Sequence, residues 1–457
     1  MAHLTCFKAY DIRGRLGVDL DEEIASRVGR ALVQVLDVRT VVLARDCRAS
    51  SEELANALAE ALIQDGVVVL DLGLAGTEEM YFATDHLGAD AGVCVTASHN
   101  PIDYNGMKLV GKGSVPLDPE TDLTKIRLAA ERAEFGSGKS GGARKDVAAS
   151  TRQAYVDRVL SFVDVSALTP LKILVNAGNG AAGPTFDALA DALQAAGAPL
   201  HFDRMHHTPD ASFPNGIPNP LLLENRPVTA DAVVAHGADF GVAWDGDFDR
   251  CFLFDHTGAF VDGEYIVGLL ADVFLRREAG ATVIHDPRVI WNTQDIVKNG
   301  GGRAVQGRTG HAFVKQAMRR ENAVYGGEMS AHHYFRDFTF CDSGMIPWLL
   351  IAELISQTGA SLRELVEARR QAYPSSGEIN FRVQDPPSVI AHLHDLHAPK
   401  AVAVDDMDGL SLDMGDWRFN LRASNTEPVL RLNVETRRLD PAPFVAELRR
   451  QIEQFAS

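Results

Sequence analysis

Three aspartates stand at alternate positions in the segment Asp245-Gly-Asp247-Phe-Asp249-Arg250, between the apolar stretches GVAW and CFLF. In an extended segment such positions share one face, so the carboxylates are expected to lie together. This crowding is unfavourable unless a cation compensates, and oxygen ligands suit Mg²⁺ or Ca²⁺. An EF-hand is excluded, because Arg250 and His256 stand where its glycine and glutamate belong. We expect Mg²⁺ with open positions for phosphate; the alternative is a solvated acidic turn.

A serine occupies a second position where a ligand is expected. The apolar run at 91–95 predicts a buried strand, and Ser98 follows it in the sequence TASHNP (96–101). Pro101 cannot donate to a sheet or continue a helix, so Ser98 is expected to be exposed on a short loop at a strand end. Such loops bind ligands in many α/β proteins. The alternative is a polar turn whose hydroxyl bonds its own backbone.

Two further segments carry polar groups suited to a sugar phosphate. In GGEMSAHHYF (326–335), Glu328, Ser330 and His332 are expected on one side of an extended stretch, where they suit sugar hydroxyls. The neighbouring His332 and His333 do not predict a metal site, because adjacent strand residues point to opposite faces. In RASNTEP (422–428), a guanidinium, two hydroxyls and an amide form a candidate phosphate or carboxylate cradle. Its candidate ligands are Arg422, Ser424, Asn425 and Thr426.

Alternating helices and strands must position these segments. Helical periodicity covers 21–36, 51–64, 263–277, 361–371 and 441–455, and strand patterns cover 41–44, 67–73, 171–175, 282–286 and 429–436. This alternation predicts mainly parallel or mixed sheets covered by helices. The polar, glycine-rich stretch 131–146 is expected to be a boundary. Its GSGKS sequence lacks the first glycine of a P-loop and a preceding strand, so we assign it to a loop.

Composition narrows the class of protein. The 457 residues carry a formal net charge of −18, which argues against nucleic acid or an anionic membrane as a partner. Five scattered cysteines without CxxC spacing suggest reduced thiols in a cytosol. The N-terminal residues lack the apolar core of a signal peptide, and the longest apolar stretch, 345–355, is too short to span a bilayer. We expect a soluble, cytoplasmic protein with no membrane partner and no obligate protein partner.

Five segments together resemble the motifs of one family, and they occur in the family's order. They are FKAYDIRG (7–14), TASHNP (96–101), DGDFDR (245–250), GEMSAHHYF (327–335) and RASNTEP (422–428). The chain resembles the α-D-phosphohexomutase family over essentially its whole length, and GEMS followed by histidine is similar to its phosphomannomutase/phosphoglucomutase branch. The resemblance implies three related α/β domains with mixed sheets and a smaller α+β domain around a central cleft. We expect these domains at 1–150, 151–255, 256–370 and 371–457.

The resemblance also implies roles for individual residues. Ser98 would carry a phosphoryl group, and Asp245, Asp247 and Asp249 would hold Mg²⁺ against it. The transfer site would be surrounded by Tyr10, Arg13, His99 and Lys108. The sugar would contact Arg250, Arg288, His311, Glu328, Ser330 and His332, and the distal phosphate would contact Arg422, Ser424, Asn425 and Thr426. Lys108, Arg13 and His332 are the candidates for general acid or base. Phe248 and Ala331 stand where many members have glycine, and Arg288 stands where some have lysine.

The activity implied by the resemblance is an isomerisation of small phosphosugars. It would interconvert mannose 6-phosphate and mannose 1-phosphate through a hexose 1,6-bisphosphate, which also serves as activator, and would feed GDP-mannose and surface polysaccharide synthesis. The near alternative is glucose phosphates, or both sugars. An aspartate-dependent phosphatase would leave TASHNP and RASNTEP unexplained, and a non-enzymatic phosphosugar sensor would not need every motif.

Overall fold

The computed structural model describes residues 3–423 and 429–455. These residues form two compact units. The first unit comprises Met1–Phe260 and His332–Gly359, and the second comprises Val261–Ala331 and Ala360–Ser457. One consequence concerns the segment 326–335: Glu328 and Ser330 belong to the second unit, whereas His332 belongs to the first.

The chain begins with a six-stranded mixed sheet in the first unit. Its strands are β1 (Ile12–Arg15), β2 (Thr40–Arg45), β3 (Val68–Leu74), β4 (Ala91–Val95), β5 (Tyr104–Gly111) and β6 (Ala143–Asp146), and its helices are α1 (Glu22–Leu36), α2 (Ser51–Gln64), α3 (Thr77–His86) and α4 (Thr124–Arg132). The strand order is β1-β5-β4-β2-β3-β6; β5 runs antiparallel to β1 and β4, and the other pairs are parallel.

Local sequence explains these elements. Helix α1 buries Val28 and Leu32 on its apolar face and begins where the Asp21 side chain accepts a hydrogen bond from the Ile24 amide, 2.8 Å. Every residue of β4 is buried, as expected for a strand inside the sheet. The stretch 131–146 is not purely a boundary, because it ends in β6, which pairs with β3 at the sheet edge.

A second mixed sheet follows in the same unit. Its elements are β7 (Leu171–Asn176), β8 (Leu200–Met205), β9 (Phe240–Trp244) and β10 (Cys251–Asp255), with α5 (Ala148–Leu160), α6 (Ala182–Ala195) and α7 (Arg226–His236). Strand β7 is parallel to β8 and β9, and β10 is antiparallel to β9. The short strand β11 (Phe260–Val261) lies where the chain passes to the second unit.

The second unit contains a parallel set of strands and then an antiparallel sheet. The parallel set comprises β12 (Thr282–His285), β13 (Arg303–Gln306) and β14 (Tyr325–Gly327), with α8 (Gly263–Arg277), α9 (Trp291–Asn299) and α10 (His311–Glu321). The chain then returns to the first unit for β15 (His333–Phe335), β16 (Cys341–Asp342) and α11 (Met345–Thr358). It completes the second unit with α12 (Leu362–Ala372), β17 (Ser375–Arg382), α13 (Pro386–His397), β18 (Ala403–Asp405), β19 (Leu410–Asp413), β20 (Trp417–Ala423), β21 (Val429–Thr436) and α14 (Ala442–Glu453).

The last sheet follows the order β17-β21-β20-β19-β18, with antiparallel neighbours throughout. Leu430, Leu432 and Val434 of β21 are all fully buried, as predicted, but the alternation holds only at its start, because Asn433 and Glu435 are buried as well. Among the described residues, no single helix is long and apolar enough to cross a bilayer. Helices α11 and α12 have the required length and apolar composition only when they are counted together, and the chain bends sharply between them.

Candidate active site

The three aspartates of 245–249 lie in a turn that follows β9. The turn is closed by a hydrogen bond from the Phe248 amide to the Asp245 carbonyl, 3.2 Å, and Phe248 has a φ of +45°. The expectation of an extended segment is therefore wrong, but the turn still gathers the carboxylates. One oxygen from each of Asp245, Asp247 and Asp249 lies within 4.8 Å of the others, and all three side chains are buried.

This donor set fits a hard divalent cation. Within the described part of the chain, the Oδ1 atoms of Asp245, Asp247 and Asp249 are buried and make no hydrogen bond. A buried carboxylate oxygen without a partner is costly, and Mg²⁺ is a cation whose preferred ligands are such oxygens. The cluster can therefore hold a metal ion.

Ser98 lies on the turn that follows β4, with a φ of +50°. Its hydroxyl donates to Asp245 Oδ2, 2.7 Å, and its amide donates to Thr96 Oγ1, 2.8 Å. The expectation of an exposed serine is wrong, because Ser98 is only 1% accessible. The loop of the aspartates covers it. A Cβ at Gly246 would lie 2.5 Å from the Ser98 carbonyl oxygen, so only glycine permits this approach.

The amino end of α3 also holds the aspartate loop in place. Thr77 donates from its amide to the Asp247 carbonyl, 3.2 Å, and from its hydroxyl to Asp247 Oδ2, 2.5 Å. The Phe248 ring is buried against Gly76, where a Cβ would collide with it. The sequence analysis did not identify Thr77. Its position at the start of a helix, directly after Gly76, is the local feature that could have indicated a role in binding the aspartate loop.

Two cationic groups lie beside the carboxylates. Lys108, on β5, donates from Nζ to Asp247 Oδ2, 2.8 Å, and also to Asp249 Oδ2. Arg250 donates from Nη2 to His99 Nδ1, 2.9 Å, and its Nε lies 3.4 Å from Asp245 Oδ2.

The remaining residues expected around the transfer site also lie in the first unit. Arg13 donates to the Asn100 side chain, 2.5 Å, and pairs with Asp11, 2.8 Å. Burial would lower the pKa of Arg13, but Asp11 and, to a smaller extent, the nearby Tyr10 raise it. His99 Nδ1 lies 3.0 Å from Ser98 Oγ. These side chains thus come from β1, from the residue segment just before it, and from the turn between β4 and β5.

His332 lies next to the aspartate cluster, in the first unit. Its Nδ1 lies 2.9 Å from Asp342 Oδ2 and 3.9 Å from Asp249 Oδ1. Asp249, His332 and Asp342 form a second group whose ligand atoms lie within 4.8 Å of one another. The sequence analysis missed Asp342, which lies on the short strand β16 and is recognisable only after folding.

Burial and charge shift the pKa values at this site in different directions. Burial raises the pKa of Asp245 to about 7. Burial alone would also raise the pKa of Asp247, but the charge of Lys108 and the hydrogen bonds that Asp247 accepts hold this pKa below its ordinary value. Burial and Arg250 lower the pKa of His99. Burial would lower the pKa of His332, but Asp249 and Asp342 raise it.

The second unit holds a cluster of arginines around one carboxylate. Glu378 lies 3.2 Å from Arg288, 3.5 Å from Arg422 and 3.3 Å from Arg431. Arg288 also donates from Nε to both oxygens of Asp286, at 2.8 and 2.9 Å. Burial would raise the pKa of Glu378, but the three arginines lower it. Such a cluster is suited to an anion.

Two of these residues escaped the sequence analysis. Glu378 follows the segment PSSG (374–377), and Arg431 stands between the inward-facing Leu430 and Leu432 of β21, so that alternation places it on the other face.

The remaining sugar-contact candidates lie near β12 and β14. Glu328 accepts from the Gly310 amide, 2.8 Å, and His311 begins α10 one residue later. Residues 328–331 form a turn, with the Ala331 amide bonded to the Glu328 carbonyl, 3.0 Å, and half-buried Ser330 within it. The expectation of an extended stretch is wrong here, and Ala331 has a φ of +71°. Ser424, Asn425 and Thr426 lie outside the described residues.

Models of known protein families and individual relatives match this chain over most of its length. Four sequence models of phosphoglucomutase/phosphomannomutase domains match the chain: alpha/beta/alpha domain I at residues 5–137, domain II at 153–258, domain III at 262–373 and the C-terminal domain at 378–444. A phosphomannomutase of Salmonella typhimurium is 57% identical over 437 residues, and one of Escherichia coli K12 is 55% identical over 437 residues. Each alignment covers 96% of this chain and 96% of the relative.

Solved structures agree. A phosphoglucomutase/phosphomannomutase family protein from Burkholderia thailandensis superposes with a TM-score of 0.86 at 31% identity, covering 100% of this chain and 98% of that one. The fold and the matches define an isomerase of the phosphotransferase type. The chain belongs to the phosphoglucomutase/phosphomannomutase family, which confirms the family resemblance and the four-domain α/β architecture.

Proposed function

We propose that this enzyme interconverts mannose 6-phosphate and mannose 1-phosphate through a phosphoserine at Ser98. One observation carries the proposal: the buried Ser98 hydroxyl lies 2.7 Å from Asp245, in a cluster of three carboxylates suited to a divalent cation. A serine that only stabilised a turn would not need this environment. The identities of 55–57% to proteins named phosphomannomutase support the choice of mannose.

The chemistry consists of two phosphoryl transfers in opposite directions. In the first, the bond from phosphorus to Ser98 Oγ breaks and a bond to O1 of mannose 6-phosphate forms, while the O1 proton passes to a base. The resulting mannose 1,6-bisphosphate turns end over end. Its 6-phosphoryl group then returns to Ser98 Oγ, and O6 takes up a proton. The sum is an isomerisation that requires no other reactant.

The residues of the first unit have distinct roles in this scheme. Asp245, Asp247 and Asp249 would hold Mg²⁺, which when bound neutralises charge on the transferring phosphoryl group. Lys108 offers a further positive charge to the phosphoryl oxygens. His332 is our choice as proton acceptor, because its Nδ1 is held 2.9 Å from Asp342, which leaves Nε2 to exchange a proton with the sugar.

The residues of the second unit would recognise the rest of the substrate. Arg288, Arg422 and Arg431 would bind the second phosphate, and His311, Glu328 and Ser330 would contact the sugar. Phosphoserine, metal, sugar and phosphate loops would thus come from the segments 1–150, 151–255, 256–370 and 371–457 in turn. We further propose a cytoplasmic location, hexose 1,6-bisphosphate as activator, and GDP-mannose for surface polysaccharide as the destination of the product.

The proposal is tested with Ser98→Ala, and Ser161→Ala on the exposed carboxyl end of α5 is the control. We expect Ser98→Ala to lose turnover while it keeps the wild-type melting temperature. Intact mass should show one added phosphate on the wild type and the control, and none on Ser98→Ala. The ratio of kcat/KM for mannose 1-phosphate and glucose 1-phosphate then tests the sugar. Full turnover by Ser98→Ala would contradict the mechanism, and a preference for glucose 1-phosphate would contradict the choice of mannose.

A further inference from the structure

A buried arginine lies behind the loop that carries Ser98. Arg48 follows β2 and precedes α2, and only 3% of it is accessible. Its own position is held by Asp46, whose Oδ1 accepts from the Arg48 amide, 2.9 Å, and from the Ser51 hydroxyl, 2.5 Å. The guanidinium also stacks over the Phe213 ring, 5.6 Å from its centroid. These contacts leave Arg48 little freedom to move.

The guanidinium of Arg48 binds four main-chain carbonyl groups of this loop. Nη2 donates to the carbonyls of Ser98, 3.0 Å, and Asn100, 2.5 Å. Nη1 donates to the carbonyls of Pro101, 2.9 Å, and Tyr104, 3.2 Å. One side chain therefore holds both the start and the end of the turn between β4 and β5.

Four carbonyl oxygens that converge in a buried space repel one another unless a donor lies between them. A planar guanidinium offers several N–H groups in a fixed fork, whereas a lysine ammonium offers three donors in a different geometry. The Ser98 backbone is also in the left-handed region, which costs energy for a residue other than glycine. The loop therefore depends on Arg48 for its shape.

The Ser98 carbonyl connects this arrangement to the chemistry. Arg48 lies on one side of it, and Gly246 of the aspartate loop approaches it so closely that a Cβ there would lie 2.5 Å from the oxygen. A shift of this carbonyl would move Ser98 Oγ relative to Asp245. We propose that Arg48 is a positioning residue for phosphoryl transfer to and from Ser98. The proposal rests on the proposed function but assigns a residue that contacts neither substrate nor metal.

Arg48→Lys and Arg48→Met test the proposal. The control is Arg226→Lys, because Arg226 donates to the carbonyls of Pro220 and Leu221 and lies over the Phe260 ring, 3.7 Å from its centroid. Like Arg48, Arg226 thus binds main-chain carbonyls and lies over an aromatic ring, but it does so at another loop of the first unit. The measurements are the rate constant for phosphorylation of Ser98 by a hexose 1,6-bisphosphate, followed by intact mass, together with kcat, KM and the melting temperature.

We expect the Arg48 variants to phosphorylate Ser98 about 10- to 100-fold more slowly than the wild type, the effect typical of a misplaced reacting group. Their kcat should fall in parallel, and KM should stay within about threefold, because Arg48 does not bind substrate in this scheme. Arg48→Lys should be the milder variant. Arg226→Lys should match the wild type in the phosphorylation rate constant, kcat and KM.

A phosphorylation rate constant equal to that of the wild type in folded Arg48→Lys would overturn the proposal. A lower melting temperature with a smaller active fraction, but an unchanged rate constant per active molecule, would do the same, since it would show a purely structural role. If neither Arg48 variant folds, Asp46→Ala, which removes the acceptor of the Arg48 amide, decides by the same rate constant, with slowing expected. Absence of phosphate on wild-type Ser98 would instead refute the proposed function.

Discussion

At the scale of single residues, the candidate site combines carboxylates and a lysine ammonium that are buried next to one another. Asp247 is the most constrained carboxylate, because it accepts from Thr77 on one side and from Lys108 on the other. These donors lower its pKa, whereas the pKa of Asp245 is raised to about 7 by burial. Asp247 therefore stays ionised and contributes a negative charge to a cation throughout the neutral range.

Asp247→Asn is expected to lower the rate of phosphoryl transfer about 10- to 100-fold at low Mg²⁺, since it removes one charged ligand from a site of three. Excess Mg²⁺ should restore part of the loss, because the other two carboxylates remain. Asp191→Asn, on the exposed face of α6, removes the same charge away from the site and is the control. Activity titrated against Mg²⁺ gives the comparison. A wild-type enzyme whose rate is unaffected by EDTA would contradict the metal assignment.

At the scale of elements, one carboxyl group connects α3 with the beginning of α11. The Glu78 side chain accepts hydrogen bonds from the Gly344 amide and from the Tyr155 hydroxyl on α5. It is fully buried, and burial raises its pKa from 4.5 to about 8. The folded protein therefore retains a proton on Glu78 at pH values where the unfolded chain has lost it.

This proton linkage predicts the sign of a pH effect. Because the pKa of Glu78 is higher in the folded state, its contribution to stability is complete below about pH 4.5 and is lost as the pH rises to about 8. We expect the free energy of unfolding to fall more steeply with pH in the wild type than in Glu78→Gln, by about 1 kcal/mol per pH unit in this window. Urea unfolding at several pH values measures both slopes. Glu60→Gln, exposed on α2, should keep the wild-type slope, and parallel curves for wild type and Glu78→Gln would refute the assignment.

At the scale of the whole molecule, the chemistry and the arginine cluster belong to different units. Ser98 and the aspartates lie in the first unit, and Arg288, Arg422 and Glu378 lie in the second. In the proposed reaction one phosphoserine serves both ends of the sugar, so the arginine cluster must accept the 1-phosphate in one orientation and the 6-phosphate in the other. A guanidinium suits this task, because it binds any phosphate without reading the sugar.

Arg422→Ala should therefore raise KM for mannose 1-phosphate and mannose 6-phosphate alike, by about 10- to 100-fold, as expected for the loss of charge-assisted hydrogen bonds. The variant should also need more added hexose 1,6-bisphosphate, because the intermediate escapes more often. Arg382→Ala, exposed on β17 in the same sheet, should leave both KM values unchanged. A loss confined to one phosphosugar, with the same need for activator, would mean that Arg422 serves a single orientation.

Much of the fold follows from the sequence alone. The apolar period of α1, the all-buried run of β4 and the inward side chains Leu430, Leu432 and Val434 of β21 each depend on residues a few positions apart. The crowding of Asp245, Asp247 and Asp249 was predicted from their alternate spacing in an extended segment, and the structure gathers the carboxylates by a turn instead. Local patterns survive folding because short-range geometry limits the conformations that a segment adopts.

Only the tertiary structure decided which side chains meet. Ser98 was expected at the surface, yet the aspartate loop buries it, because Gly246 has no side chain to keep the loops apart. The contact of His332 with Asp342, and the four carbonyls held by Arg48, join residues that no local pattern connects. These arrangements come from strand order and loop packing, in which residues about 10 to 150 positions apart occupy one buried space, and periodicity within a segment carries no information about them.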